Sequence, residues 1–223
     1  MPAPHLGLSS DSEAASVHLY WLPLGAGDNS HCVRMNGQAF ESLQAAFERR
    51  ARCDLYHSAL AVRLEDAMFT IEKGPAWGNA LSDRGVVGEG PVGLRCLGRS
   101  RFFRYEVRCW RSGLIPDAAE AVGGPIRLRT DVLRAQRLLD LVPQFPTLTW
   151  GRDELKTDDM WNSNSLTSWL LAGSGHDVEA VGMPLHGRAP GWAAGLGIAA
   201  RARGLGQRDG LRDSRSSSIH PSP

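Results

Sequence analysis

The stretch "CDLYHSALAVRLEDAMFTIEKGPAW", residues 53–77, predicts a β-hairpin at the centre of the fold. Side chains alternate between the two faces of a strand. One face of the first strand therefore holds Leu55, His57, Ala59 and Ala61, and the other holds Tyr56, Ser58, Leu60 and Val62. A turn is expected at residues 65 and 66, after which "MFTIEKG" returns antiparallel. The hairpin predicts an antiparallel sheet.

Two more strands are predicted on either side of this hairpin. "SVHLYWLPLG", residues 16–25, is rich in β-branched and aromatic residues and is stopped by Pro and Gly. "FFRYEVRCW", residues 102–110, alternates as a strand does. Between the hairpin and this strand, "DRGVVGEGPVGLRCLG", residues 83–98, predicts a Gly-rich loop. It contains no GxGxxG or Walker-type pattern, so it does not indicate a nucleotide site.

Apolar residues at helical spacing predict three helices. They lie in "NGQAFESLQAAFERRAR" from Asn36, in "TDVLRAQRLLDLV" at residues 130–142 with Thr130 as N-cap, and in "MWNSNSLTSWLL" at residues 160–171. The third helix is expected to end at Gly173 or Gly175. The apolar positions include Phe40, Leu43, Ala46 and Phe47 in the first helix, Leu133, Leu138 and Val142 in the second, and Leu166, Trp169 and Leu170 in the third.

The order of these elements predicts an α+β fold, in which helices flank an antiparallel sheet. A single domain is expected over residues 16–198. Residues 1–15 are small and polar and predict a disordered leader. Residues 199–223 are polar and of low complexity, which predicts a disordered tail.

Charge and composition narrow the classes of function. Lys and Arg total 25 and Asp and Glu total 24, a net charge of +1 that argues against a nucleic-acid partner. No apolar run approaches the ~20 residues of a transmembrane segment, and no secretory signal is visible. The four cysteines form no CxxC pair, which favours a reducing cytoplasm and buried or incidental thiols. No cofactor motif is present.

The cluster Asn162-Ser163-Asn164, at the start of the third helix, allows two interpretations. Asn and Ser are preferred helix caps because their side-chain oxygens accept the free N–H groups of the first turn. A hydroxyl at the same place could instead be a nucleophile, with helix N–H groups stabilising an oxyanion. The pattern favours a cap at Ser163 or Asn164 and leaves the nucleophile open.

A serine nucleophile needs a general base, and His57 is the most distinctive of the seven histidines. It lies on a predicted strand with small residues two and four positions beyond it on the same face, which leaves room for a partner. A packed or half-exposed histidine is the simpler interpretation. A metal site is unsupported, because His176 with Glu179, or "DNSHC" at residues 28–32, offers too few ligands.

The order of "LYHSALAV" and, much later, "WNSNSLTSWLL" resembles the permuted papain-like superfamily. That superfamily includes the PPPDE-type peptidases and the relatives of lecithin retinol acyltransferase. Its members have a catalytic His early, on a strand written like YHTGVxV, and a nucleophilic Cys later, in a helix motif like NCNxF. His57 matches the first motif, and Asn162-Ser163-Asn164 matches the second with Ser in place of Cys, as in a bacterial branch whose motif reads NSNxF.

The resemblance implies a permuted papain-like arrangement and hydrolysis of an amide or ester bond in a small-molecule or peptide substrate. Ser163 would attack the carbonyl, with His57 as general base and then acid. Glu72 on the return strand is expected to orient the imidazole, and Asn162, Asn164 and Trp161 are expected to contact substrate. The alternative is a catalytically inactive binding or scaffold protein that keeps the same cleft. A lipid-modifying enzyme at a membrane surface is a third possibility.

Overall fold

The predicted hairpin is part of an antiparallel sheet in the computed structural model, which describes residues 14–25, 41–76 and 85–216, with side chains as far as residue 204. The strands are β1 (Ala15–Pro23), β2 (Asp54–Leu64), β3 (Ala67–Pro75), β4 (Val86–Pro91), β5 (Arg104–Arg111), β6 (Ile126–Leu128) and β7 (Gly187–Arg188). The order is β4-β5-β3-β2-β1-β6, with neighbours antiparallel, and the short β7 pairs parallel with the start of β2.

Three helices have both ends within the described residues: α1 (Val132–Leu141), α2 (Ser163–Gly173) and α3 (Trp192–Ser216). Residues 41–47 are also helical. The first turn of α1 is capped by Asp131, whose carboxylate accepts the N–H of Arg134 at 2.8 Å. Together with the sheet, these helices give the α+β fold that the sequence predicts.

The main core lies between α2 and one face of the sheet, which we call the inner face. Alternate residues of β1 and β2 point into it and pack against apolar side chains of α2. These residues are Val17, Leu19, Trp21, Tyr56, Leu60, Val62, Leu166, Leu170 and Leu171. All of α2 from its first residue to Ala172 is buried, so this helix is enclosed by protein on every side.

A second, smaller cluster lies on the opposite face of the sheet, the outer face. Leu22 and Ala59 pack there with Ile115, and Tyr20 and Ala61 lie against them. The register of β1 and β2 is continuous from Ala15↔Leu64 to Pro23↔Tyr56. An unbroken register means that the two faces do not exchange anywhere along β2.

The Gly-rich segment predicted to be a loop contains an edge strand, so that prediction was wrong in part. β4 pairs with β5 through a register shift between Val86 and Gly88. Glycine is required where the strands come close, because a Cβ on Gly90 would lie 2.4 Å from the Tyr105 hydroxyl. Two 3₁₀ turns follow, Arg95–Arg99 and Arg101–Phe103.

The predicted apolar faces of two helices were wrong in part. Phe47 is 89% exposed and Leu43 is also exposed, whereas Glu41 and Ala45 are buried. The physical reason is that polar contacts orient this helix: Glu41 forms an ion pair with Arg50, and its carboxylate accepts the N–H of residue 53 at 2.8 Å. Phe40 lies outside the described residues.

The predicted cap and apolar face of α1 were also wrong in part. Asp131 replaces Thr130 as the cap, and Leu133 is exposed.

The C-terminal helix was missed. α3 runs from Trp192 to Ser216 and so extends into the segment predicted to be a disordered tail. Its first turns pack on α2, with Ala194 and Ala199 buried in the main core. Residues 1–13 and 217–223 lie outside the described part of the chain. Within that part, no helix has the length and apolar character that crossing a membrane requires.

Candidate functional site

The first turn of α2 is closed by a capping box. Asn162 has an extended backbone, and its side-chain oxygen accepts the N–H groups of Asn164 at 2.9 Å and Ser165 at 3.3 Å. In return, the hydroxyl of Ser165 accepts the N–H of Asn162 at 2.9 Å. Ser163 is the first helical residue and is 3% exposed. Two of the N–H groups that an oxyanion would need are thus already bonded within the cap.

A buried hydrogen-bond network ties this turn to the inner face of the sheet. The side-chain amide of Asn164 donates to the carbonyl oxygens of Tyr56 and Pro190, both at 2.9 Å. The Ser58 hydroxyl donates to the Asn164 side-chain oxygen at 2.8 Å and shares a hydrogen bond of 2.9 Å with the Thr167 hydroxyl. These contacts join β2, α2 and the segment before α3.

Sequence reasoning missed the roles of Ser58 and Thr167. The signal available was the position of Ser58, a hydroxyl on the otherwise apolar face of the predicted strand that also holds Tyr56 and Leu60. A buried hydroxyl needs a hydrogen-bond partner. The sequence alone did not identify which partner would meet it.

Ser163 and His57 are on opposite sides of the sheet. Ser58 faces α2, so alternation turns its neighbour His57 to the outer face. The partner of His57 in the β1 register is Leu22, which lies in the outer cluster with Ala59. Among the described residues, no hydrogen bond joins the Ser163 hydroxyl to the imidazole. The structure therefore does not bring the two side chains of the predicted dyad together.

His57 is half-buried on the outer face, near the start of β2. Desolvation by the surrounding protein lowers the pKa of the imidazole to about 4, so it is neutral at pH 7. Within the described segments, the ring has no hydrogen-bond partner. A general base is normally held in one tautomer by a second group, and the described residues provide none.

Glu72, predicted to orient His57, lies on the outer face but bonds elsewhere. Its carboxylate accepts a hydrogen bond from Arg108 at 2.7 Å, and the two residues are direct partners in the register of β3 and β5. The same guanidinium donates to Glu106 at 2.9 Å and to the carbonyl of Pro75 at 2.8 Å. This largely buried ion-pair cluster is sufficient reason for a carboxylate at position 72.

Trp161, predicted to contact substrate, is a core residue. It is almost completely buried, its ring stacks on Phe145 with centroids 4.7 Å apart, and its indole N–H donates to the carbonyl of Pro146 at 2.9 Å. The other two predicted substrate contacts, Asn162 and Asn164, are the cap and the network residue described above. All three side chains are used in holding the fold together.

Lys73 is an unexpected buried amine on the inner face. Its Nζ has no hydrogen-bond partner among the described residues and lies 4.0 Å from the ring centroid of Tyr105. Three further rings surround the amine at 5.1 to 5.8 Å: Phe145, Trp150 and Trp161. Desolvation holds the pKa of Lys73 well below its ordinary value. The alternation of "FTIEKG" could have placed it, since residues 69, 71 and 73 share a face.

The histidine considered as a metal ligand has a structural role. Both ring nitrogens of His176 are hydrogen-bonded, Nδ1 to the Ser174 hydroxyl at 2.8 Å and Nε2 to the Thr130 hydroxyl at 3.1 Å. Burial lowers the pKa of His176 to about 4. Within the described ranges, no three His, Cys, Asp or Glu side chains form a group that could hold a metal ion. The alternative set at residues 28–32 lies outside those ranges.

Comparison with known proteins adds no family to this geometry. No protein-family model matches the chain, and no match was found among curated proteins or among solved structures. The site is therefore interpreted from its own residues.

Proposed function

We propose that this protein is a catalytically inactive binding protein. In this proposal, Asn162-Ser163-Asn164 links α2 to the sheet and is not a serine hydrolase site. One observation carries the proposal: Ser58 bonds to α2 from the inner face, so His57 lies across the sheet from Ser163. A serine hydroxyl attacks a carbonyl only if a base within hydrogen-bond reach takes its proton.

The surroundings of Ser163 support the same proposal. The serine is buried at the first position of a helix whose next two N–H groups are bonded to the cap. Both asparagines beside it donate to the carbonyl of Pro190. A substrate would have to displace these hydrogen bonds before its carbonyl could approach the hydroxyl. The polar cluster is accounted for by stability alone.

The test is labelling of the purified protein with a fluorophosphonate probe, which reacts with activated serines. We expect no labelling of the folded wild type, and no difference from Ser163→Ala or His57→Ala. An active serine hydrolase in a parallel reaction shows that the probe works. Labelling that Ser163→Ala and His57→Ala both abolish would overturn the proposal.

The hydrolase remains the second candidate because of one feature of Ser163. Its hydroxyl lies at a helix N-terminus, and within the described part of the chain it has no hydrogen-bond partner. Catalysis by the Ser163–His57 pair would need His57 to reach the inner face, which requires a slip of β2 by one residue. The permuted papain-like arrangement stays a prediction of the sequence motifs.

A further inference from the structure

The connection between β4 and β5 exposes apolar side chains together with arginines. We call residues 94–103, "LRCLGRSRFF", the basic-apolar loop. Phe102 is 74% exposed and Leu94 is 47% exposed, and Leu97 and Phe103 are exposed as well. The loop has three arginines and no acidic residue. Four large apolar side chains exposed within ten residues exceed the scattered exposure that is normal for a protein surface.

The loop is held in this conformation by its own hydrogen bonds. Its two 3₁₀ turns are closed by backbone bonds from Leu97 to Leu94, from Ser100 to Leu97 and from Phe103 to Ser100, at 2.9 to 3.1 Å. The residue before it, Gly93, donates to the carbonyl of Trp150 at 3.0 Å and accepts from Arg152 at 2.6 Å. The apolar side chains are therefore presented outward by an ordered backbone.

The basic-apolar loop itself is positively charged. Arg95 is paired with Glu154, and Arg104, just after the loop, is paired with Glu89. Arg99 and Arg101 have no acidic partner among the described residues, and Arg101 donates only to the carbonyl of Ala76 at 3.3 Å. Uncompensated arginines beside exposed Phe and Leu are complementary to a surface that is anionic outside and apolar beneath.

We infer that the basic-apolar loop docks the protein on an anionic lipid bilayer. Phe and Leu enter the boundary between headgroups and acyl chains, and the arginines remain at the headgroups, where anionic lipids attract them. Protein interfaces are also enriched in aromatic residues and Arg, so binding that requires anionic lipid is the result that distinguishes a bilayer from a protein partner. The inference goes beyond the proposed function and does not depend on the chemistry of Ser163.

The test is flotation of the purified protein with lipid vesicles. Two compositions are compared, pure phosphatidylcholine and an equimolar mixture with phosphatidylglycerol. We expect binding to the mixed vesicles that weakens at high salt and much weaker binding to phosphatidylcholine. The double variant Leu94→Ser/Phe102→Ser should lower the partition coefficient at least tenfold, because it removes two apolar side chains whose transfer out of water favours binding. Arg99→Glu should lower it on mixed vesicles only.

The matched control is Leu114→Ser/Leu133→Ser, which removes two leucines that are each 82% exposed elsewhere on the surface. This variant should float as the wild type does. Circular dichroism of all variants separates loss of binding from loss of folding. The inference is overturned if the wild type does not float with mixed vesicles, or if the two double variants bind equally. It is also overturned by equal binding to both lipid compositions at low salt.

Discussion

Lys73 shows at the residue scale how burial sets the chemistry of a side chain. Its amine lies among four aromatic rings and has no hydrogen-bond acceptor in the described part of the chain. The rings favour the ammonium through their negative faces, but the loss of water favours the neutral amine. Desolvation is the larger effect, and it lowers the pKa of Lys73. The buried neutral amine therefore lowers the free energy of unfolding at any pH at which Lys73 is protonated in the unfolded chain.

Replacing Lys73 with methionine, which has a similar length, is expected to stabilise the protein. Each unit by which burial lowers the pKa of the amine costs about 1.4 kcal/mol of stability at a pH below that pKa range, and methionine carries no such cost. Because the folded-state pKa is lowered, the unfolded state binds more protons, and wild-type stability rises as the pH increases towards the ordinary lysine pKa of about 10.4. Lys73→Met should remove this slope. Urea unfolding at several pH values measures both effects, and a Met variant less stable than wild type would contradict the prediction.

The outcome for His57 shows what alternation can and cannot predict. The sequence correctly separated His57 from Ser58 on opposite faces of β2, as the register with β1 shows. It did not indicate which face α2 would cover, because small and apolar residues occur on both. The network of Ser58, Asn164 and Thr167 decides this through contacts more than 100 residues apart. Such long-range pairing of hydroxyls leaves no periodic signal.

At the scale of elements, the N-terminus of α2 is fixed by Asn162 rather than by Ser163. The Asn162 side chain accepts two helix N–H groups and donates to the carbonyl of Pro190 at 2.6 Å. Asn162→Ala should therefore lower the free energy of unfolding by about 1–3 kcal/mol, since the cap is buried. Ser163→Ala is the matched control, because its hydroxyl makes no bond within the described residues, and it should change stability little. Equal losses in chemical denaturation would contradict this division of roles.

The sequence predicted elements well where local periodicity and capping agree. The hairpin, β1, β5, α1 and α2 were all placed within a few residues of their observed ranges. β4 was missed because its glycines serve a tertiary need, the close approach of Gly90 to Tyr105. The exposed Leu43 and Phe47 were assigned to the core because the ion pairs of Glu41 that orient this helix have no periodic signature.

For the whole molecule, two histidines kept neutral by burial predict sensitivity to acid. The pKa values of His57 and His176 are both lowered to about 4 by desolvation. The unfolded chain binds a proton at each below about pH 6.5, and the folded chain does not. Stability that is fully present above pH 6.5 is thus lost as the pH falls towards 4, by up to about 3 kcal/mol for each histidine.

The variant His57→Gln should reduce this acid loss because it removes one of the two protons taken up on unfolding. The measurement is the free energy of unfolding at about pH 7 and about pH 4.5, compared between wild type and variant. The difference between the two pH values should be smaller in the variant. His186→Gln, which replaces an exposed histidine, is the control. An unchanged difference for His57→Gln would show that this imidazole is solvated.

The measurement that most directly tests the division of the sheet into two faces is pairwise disulfide formation. Ser58→Cys/Thr167→Cys replaces two hydroxyls, one on β2 and one on α2, that are 2.9 Å apart. This double variant should form a disulfide on mild oxidation, which mass spectrometry would map. His57→Cys/Ser163→Cys should not form one, because the sheet separates the two positions. A disulfide between positions 57 and 163, with none between 58 and 167, would contradict the account and restore the catalytic pair.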